Sequence, residues 1–574
     1  MQLRELEEDI GRLGRVAVAV GALVALGLLA FYAARLTLPL PLFASDEAAY
    51  LIRALYPDEL VARYPWVAAA NNGVHLSVIR AFYRVGAPYI LADRLADAVT
   101  YLGGLVALWV AIRRRVSPMQ GATLLLLTLG FPYYRFAFSN LAEGLYVGVL
   151  AALCLVTARW AATRPALHAV LAGGLAAALV LVKPNGVTAI AALAVMAVLG
   201  LALSGDWRRL ALRAVLFSAT FLGAGNLIQL AAHEPVIHPL IFFVSQTYAA
   251  ALGVRPPPGA WALGLLELAA MVSAAAVLAG APLAIGGTDL VRRWRADRRG
   301  FAPTGPDLIW LLLALSLFAT LAMVAIFAIQ LAGIESESRR LWGRYFEFFA
   351  PMLWLAAGPA LARPIGRRTA LAAAATMLAG LAVLFACFHA GIVLFPWDSS
   401  ILTAYFHPDP VRAPLGVTTP YRALAAAVTL AAALALALRV RPALAGLGLM
   451  LGLGVLSTDL DRVWMAPMVA QRQAQARDLA AIAPALAGGE AVVLLTADVN
   501  EGHLTFLQLA ARPAVVIGPP AEATADAVAG AQAVIVSGDA TPPGGPWTRT
   551  YRGKALSLYR PMLRDAGLAG AAPG

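Results

Sequence analysis

Charged side chains are scarce in this sequence. Of 574 residues, 13% are Asp, Glu, Lys or Arg and 61% are hydrophobic. A soluble domain with that balance could not cover its surface with polar groups. The mean hydropathy of +0.75 places the chain among polytopic membrane proteins. Lysine is nearly absent, with 2 residues against 42 arginines. Cysteine is limited to Cys154 and Cys387, both inside apolar runs. That excludes a disulfide framework and a thiolate metal site, and both read as small buried hydrophobes. A Gly-rich phosphate loop, a Ser/His/Asp nucleophile motif, a C-x-x-C pair and H-E-x-x-H are all missing. No cleavable signal peptide is expected, because the first apolar run is about 23 residues long and no small-residue cleavage site follows it.

What is present is a series of apolar runs separated by loops of two kinds. The runs predict about thirteen spanning helices, at 16–38, 87–112, 117–133, 141–160, 165–182, 184–204, 210–232, 262–288, 307–332, 342–362, 369–395, 421–438 and 441–460. Ahead of the first, Leu3, Leu6, Ile10 and Leu13 have the spacing of a short amphipathic helix on the membrane surface. Every second loop is short and basic: Arg113-Arg114-Arg115, Arg159 with Arg164, Arg208-Arg209 with Arg213, Arg292 to Arg299, Arg363 to Arg368, and Arg439 with Arg441. The net charge of +12 therefore reports topology, with these loops and the N-terminus cytoplasmic, and does not indicate nucleic-acid binding. The other loops, expected outside, hold most of the unusual polar residues: Asp46, Glu47, Asn71, Asn72, His75, Arg135, Lys183, His233, His238, Arg339, Arg340, Arg344 and Asp398. Function is expected on that outer face, out of reach of cytosolic nucleotides. The tail, about 462–574, alternates short β-like runs (491–496, 514–517, 533–536 and 555–559) with helical patterns at about 467–486, 500–510 and 521–530. It predicts a small external α/β domain with a mainly parallel sheet. The fold class expected is thus a polytopic α-helical membrane domain, 1–461, followed by an extracytoplasmic α/β domain, 462–574.

Candidate chemistry starts at Phe43-Ala44-Ser45-Asp46-Glu47-Ala48-Ala49-Tyr50, just after the first span. Two adjacent acids there suit the first turn of a helix. They also suit a carboxylate that takes a proton from an alcohol at the membrane surface. Lys183, in Leu181-Val182-Lys183-Pro184, reads either as a snorkelling edge residue or as a phosphate contact. Arg344, with Arg340 before it and Trp342 and Tyr345 beside it, begins a span at a depth where an arginine needs an anion, from the protein or from a ligand. Glu143 stands just inside a span, as a support for the carboxylate loop or a cation, or as an internal partner of Arg135 or Lys183. Asn72 and His75 are supporting candidates, and a lone histidine is more often a hydrogen-bonded structural one. No cofactor is expected. The metal reading is weak, because no second acidic pair on the external loops completes a divalent site.

The ordered set of Asp46-Glu47 with Tyr50, Arg94-Leu95, Ser139 to Glu143, and Gly343-Arg344-Tyr345 through Pro351 resembles the GT-C superfamily of membrane glycosyltransferases. It is most similar to the branch of the lipid A aminoarabinose transferases and protein O-mannosyltransferases. Where that branch carries Lys-Pro late in the first loop, this chain reads Asn71-Asn72-Gly73-Val74-His75, and the family's second acid, usually Asp, is Glu143 or absent. The resemblance implies an inverting hexosyl- or pentosyltransferase with a polyprenyl-phosphate sugar donor and a glycan, lipid or protein acceptor. Asp46 would be the general base. Lys183 and Arg344, with Arg340 and Tyr345, would take the donor phosphate, while Glu47 and Glu143 hold the loop and the cations. An Arg-, Ala- and Gly-rich composition suggests the inner membrane of a GC-rich bacterium. Two alternatives stay open: an O-antigen ligase or polymerase, and a lipid-linked glycan flippase or transporter.

Overall fold

A computed structural model describes residues 2–38, 44–56, 72–234, 256–297, 301–332, 339–405, 418–486, 490–496, 514–517 and 521–562. The chain forms two compact units. One is Met1–Leu36 with Ala69–Val463, and the other is Thr37–Ala68 with Trp464–Gly574.

The first unit is a helical bundle. Its helices are α1 (Gln2–Ala33), α3 (Gly73–Arg84), α4 (Tyr89–Ile112), α5 (Pro118–Leu129), α6 (Glu143–Trp160), α7 (Pro165–Val182), α8 (Val187–Ser204), α9 (Trp207–Ala231), α10 (Ala260–Ala296), α11 (Gly305–Leu331), α12 (Phe349–Ala356), α13 (Arg367–His389), α14 (Thr418–Ala437) and the first part of α15 (Pro442–Ile482). Helix α2 (Ala44–Leu55) belongs to the second unit. Among the described residues, 11 helices are long and apolar enough to cross a membrane.

Two expected spans are not continuous helices. The run 117–133 yields only α5, 12 residues long, which stops before Phe131-Pro132 and is followed by a single turn at Tyr134–Ala137. The run 342–362 is a 3-10 turn at Gly343–Tyr345, then α12, then one turn at Gly358–Leu361. Glycine and proline at 343, 351, 358 and 359 break it, although its hydropathy alone reads as a span. Conversely, the expected last span and the first helix of the tail are one helix, α15. Its 41 residues reach about 62 Å, twice the hydrocarbon thickness of about 30 Å.

Local chemistry sets the boundaries. Ser117 caps α5 by accepting the N–H of Gln120, with Pro118 at the first helical position. Thr304 and Asp307 form a capping box on α11. Gly205, at φ 70°, ends α8 in the left-handed region. Packing relies on small residues. Gly144-x-x-x-Gly148 on α6 lies directly on α4, so that a Cβ on Gly144 would stand 2.4 Å from the Asp97 carbonyl oxygen. That close approach puts the Asp97 carboxylate over the start of α6, where it accepts the N–H groups of Gly144 and Leu145 at 3.1 Å each.

In the second unit, a five-stranded sheet has the order β2-β1-β3-β5-β4. Its strands are β1 (Val492–Leu495), β2 (Ala514–Ile517), β3 (Ala533–Ser537), β4 (Trp547–Arg552) and β5 (Leu556–Pro561). Strand β1 pairs in parallel with β2 and β3, whereas β5 pairs antiparallel with β3 and β4. The sheet is therefore half parallel rather than mainly so. Strand β4 escapes the sequence pattern because it is an edge strand with exposed polar residues. The expected helix at 521–530 is only a 3-10 turn at Asp526–Val528, and 500–510 lies outside the described residues. Leu479 and Ile482 of α15 pack with Val492, Leu494, Ile535 and Leu558 in one core layer.

Candidate active site

Lys183 is the residue at which α7 ends. Its backbone is extended, at φ −154° and ψ 133°, because the residue before a proline avoids the helical region. The side chain leaves the helix axis and donates to Glu143 Oε1 at 2.6 Å. Arg344 Nε reaches the same oxygen at 3.2 Å. Glu143 is held in the first turn of α6 by the Gly144–Asp97 contact. Its second oxygen, Oε2, is buried and accepts no hydrogen bond among the described residues. Tyr345 forms a wall. The Lys183 ammonium lies 4.7 Å from its ring centroid and the Arg344 guanidinium 5.8 Å. Tyr133 donates to the Arg344 carbonyl at 3.0 Å. Gly343 admits no side chain, since a Cβ there would stand 2.8 Å from Glu347 Oε1.

The supporting residues surround this group. Asn72 Nδ2 donates to the Val182 carbonyl at 2.6 Å, capping the end of α7 next to Lys183. His75 is fully buried, with Nε2 3.2 Å from Asp93 Oδ1. Asp93 also accepts from Asn140 at 3.0 Å, and Asn140 accepts from Arg94 Nε at 2.9 Å. Arg340 makes a two-pronged contact with Asp398, at 2.7 and 2.5 Å, and lies 4.2 Å over the Trp342 ring. Burial pushes the Asp398 carboxyl above its usual range, and the Arg340 and Arg344 charges pull it back. Arg135 is paired with Asp461 at 3.0 Å, a carboxylate that Arg35 also contacts, so Glu143 partners Lys183 and not Arg135.

Several members of the site have no sequence signal of their own. Asp93, Asp97 and Asn140 orient the start of α6 and His75. Glu347 accepts from the Ser399 hydroxyl, from Ser400 N and Oγ at 2.7 and 2.8 Å, and from Leu402 N at 3.3 Å. One D-x-D spacing, Asp459-Leu460-Asp461, does stand on α15, counter to the expectation of no second acidic pair. Its carboxylates diverge, Asp461 toward Arg35 and Arg135, Asp459 toward Tyr421 at 2.6 Å and Arg462. Among the described residues, no three His, Cys, Asp or Glu side chains converge as a metal site.

Glu47 is buried on α2 in the second unit. Asp46 belongs to the same helix, and its side chain lies outside the described residues, as do Asn71 and His238. His233 ends the turn after α9, at φ 55°.

The two ends of the bundle differ in kind. Glu143, Lys183, Arg340, Arg344 and Asp398 gather at one end. Arg115, Arg293 and Arg363 line a cavity of about 360 Å³ at the other, and Arg363, Arg439 and Arg441 a second of about 420 Å³.

No protein-family profile matches the chain, and no curated protein does. A solved structure does match: ArnT from Cupriavidus metallidurans in the apo state, at 18% identity and a TM-score of 0.51. The match covers 95% of this chain and 98% of that one. The chain accordingly shares the fold of that structure over nearly its whole length.

Proposed function

We propose that this protein is an inverting glycosyltransferase of the GT-C fold, which moves a sugar from a polyprenyl-phosphate donor to an acceptor hydroxyl at the external membrane face. The observation that carries the reading is the convergence of Lys183 and Arg344 on one carboxylate oxygen at the end of the bundle opposite the arginine loops. An ammonium and a guanidinium together offer more N–H donors than one oxygen accepts, in a geometry suited to a phosphate at headgroup depth.

In the proposed step, Asp46 takes the proton of the acceptor hydroxyl. The hydroxyl oxygen bonds to the anomeric carbon from the face opposite the phosphate, and the carbon–oxygen bond to the phosphate breaks. Polyprenyl phosphate departs with the bonding electrons, and Lys183 and Arg344 stabilise the charge it gains. Glu143 fixes both cations, Arg340 and Tyr345 shape the phosphate side, and Asn72 and His75 hold the surrounding backbone and helices. Glu47 anchors the loop that presents Asp46. The step as written uses no metal, because the two cations supply the countercharge.

The acceptor is a glycan, a lipid or a protein, and the setting is a bacterial inner membrane with the N-terminus cytoplasmic and the tail outside. A transporter reading requires polar groups near mid-membrane, and the ionic cluster at one end of the bundle weighs against it. The test is to offer the purified protein labelled donors of both kinds. Release of polyprenyl phosphate from a monophosphate donor is the expected result. Consumption of a diphosphate donor alone would move the protein to the ligase or polymerase class.

A further inference from the structure

At the arginine-rich end, α6, α7, α8, α9 and the start of α11 enclose a groove of about 560 Å³ that is apart from the ionic site. Its walls are mainly apolar. Ala169, Ala172, Ala194 and Ala197 leave the slot open by being small, and Phe217 and Leu222 close one side. Along α9 the lining runs from Leu210 to Leu222, a rise of about 18 Å, close to the depth of one leaflet's hydrocarbon, about 15 Å.

Besides the Thr157 and Ser218 hydroxyls, two ionisable side chains face this apolar wall. His168 is engaged, with Nε2 3.2 Å from the Thr157 hydroxyl. Arg213 is not engaged in the same way: its Nε is buried and makes no hydrogen bond among the described residues. A buried guanidinium nitrogen facing hydrocarbon is costly without an anionic partner. The surrounding charges are nearly all basic, with Arg159 and Arg164 at the α6–α7 turn and Arg208 and Arg209 at the start of α9. The nearby acids are already engaged, Asp206 by Arg209 and Asp307 by Arg293. Trp207, largely exposed beside Arg208, has the position of an interface aromatic.

We infer that this groove holds one acyl chain of an anionic phospholipid from the leaflet at the arginine-rich end, with its phosphate on Arg213. A slot of leaflet depth fits a chain, and the one-signed charge at its mouth selects an anionic headgroup. The site is independent of the proposed reaction.

Full-length protein in detergent is titrated with phosphatidylglycerol or phosphatidylcholine and read by native mass spectrometry. The wild type retains one phosphatidylglycerol with at least a fivefold preference over phosphatidylcholine, about the contribution of one arginine near a headgroup. Arg213→Gln removes the preference, and Ala197→Trp, which fills the slot, removes the retained lipid of either kind. Equal retention of the two lipids by the wild type overturns the inference. So does an undiminished preference in Arg213→Gln, or retention of a polyprenyl phosphate in place of phosphatidylglycerol. The wild-type preference decides alone if neither variant is stable.

Discussion

Glu143 sits at the first turn of α6 and holds Lys183 and Arg344 on one oxygen, with its side chain only 3% exposed. Removing one partner of a buried ionic group leaves the others uncompensated, so Glu143→Ala is expected to destabilise the protein by about 3–5 kcal/mol, measured by denaturant unfolding in detergent. Replacing a cation has a different signature. Lys183→Met and Arg344→Gln are each expected to lower kcat for donor turnover by about 10²-fold or more, because the charge they stabilise grows only as the phosphate leaves. A rise in KM with kcat unchanged would mean that they only bind the donor. Part of this site was legible at the residue scale. One lysine in an almost lysine-free chain, one arginine at the start of an apolar run and one acid inside a span each stood out. Asp93, Asp97 and Asp461 did not, and Asn140 and Glu347 fell inside recognised segments without standing out in them. Their partners lie 18 to more than 400 residues away, and no spacing in the sequence records such contacts.

At the scale of elements, the α4–α6 contact places the carboxylate. A methyl group on Gly144 would meet backbone on α4, which cannot swing aside as a side chain can. Gly144→Ala is therefore expected to cost about 1–3 kcal/mol and to disturb the cluster through Glu143. Gly103, on the same α4, has nothing within 4 Å of an added Cβ. Gly103→Ala should leave the melting temperature unchanged or raise it, and equal losses in the two variants would deny the close packing any special role. Helix positions were mostly readable from apolar run length. The two interrupted spans show the limit of that signal. Hydropathy reports burial in lipid or protein alike, and 117–133 and 342–362 are apolar although their helices are interrupted, because most of their side chains pack against other helices. Every residue of α12 is buried. The turns that interrupt these runs place Arg135, Asn140 and Arg344.

For the whole molecule, the alternation of basic and polar loops along the sequence becomes two chemically different ends of the bundle. The sheet of the tail was readable from its β-branched runs, except at the polar edge strand. The proposed sidedness rests on the arginine loops and the positive-inside rule. Both native cysteines are buried, so introduced thiols report cleanly. Asp539→Cys, in the tail, should react with a membrane-impermeant maleimide in cells whose outer envelope is opened, and Arg114→Cys only after the inner membrane is permeabilised. The reverse pattern would invert the topology and remove the external site.

The proposed reaction stands or falls on Asp46. The direct measurement is single-turnover consumption of a labelled polyprenyl-phosphate sugar by the wild type and by Asp46→Asn, with donor binding measured on the same samples. The proposal predicts equal binding and a loss of about 10²–10⁴-fold in the rate of transfer, the usual contribution of a general base. Equal rates in the two proteins would contradict it and make Asp46 a helix-start residue only.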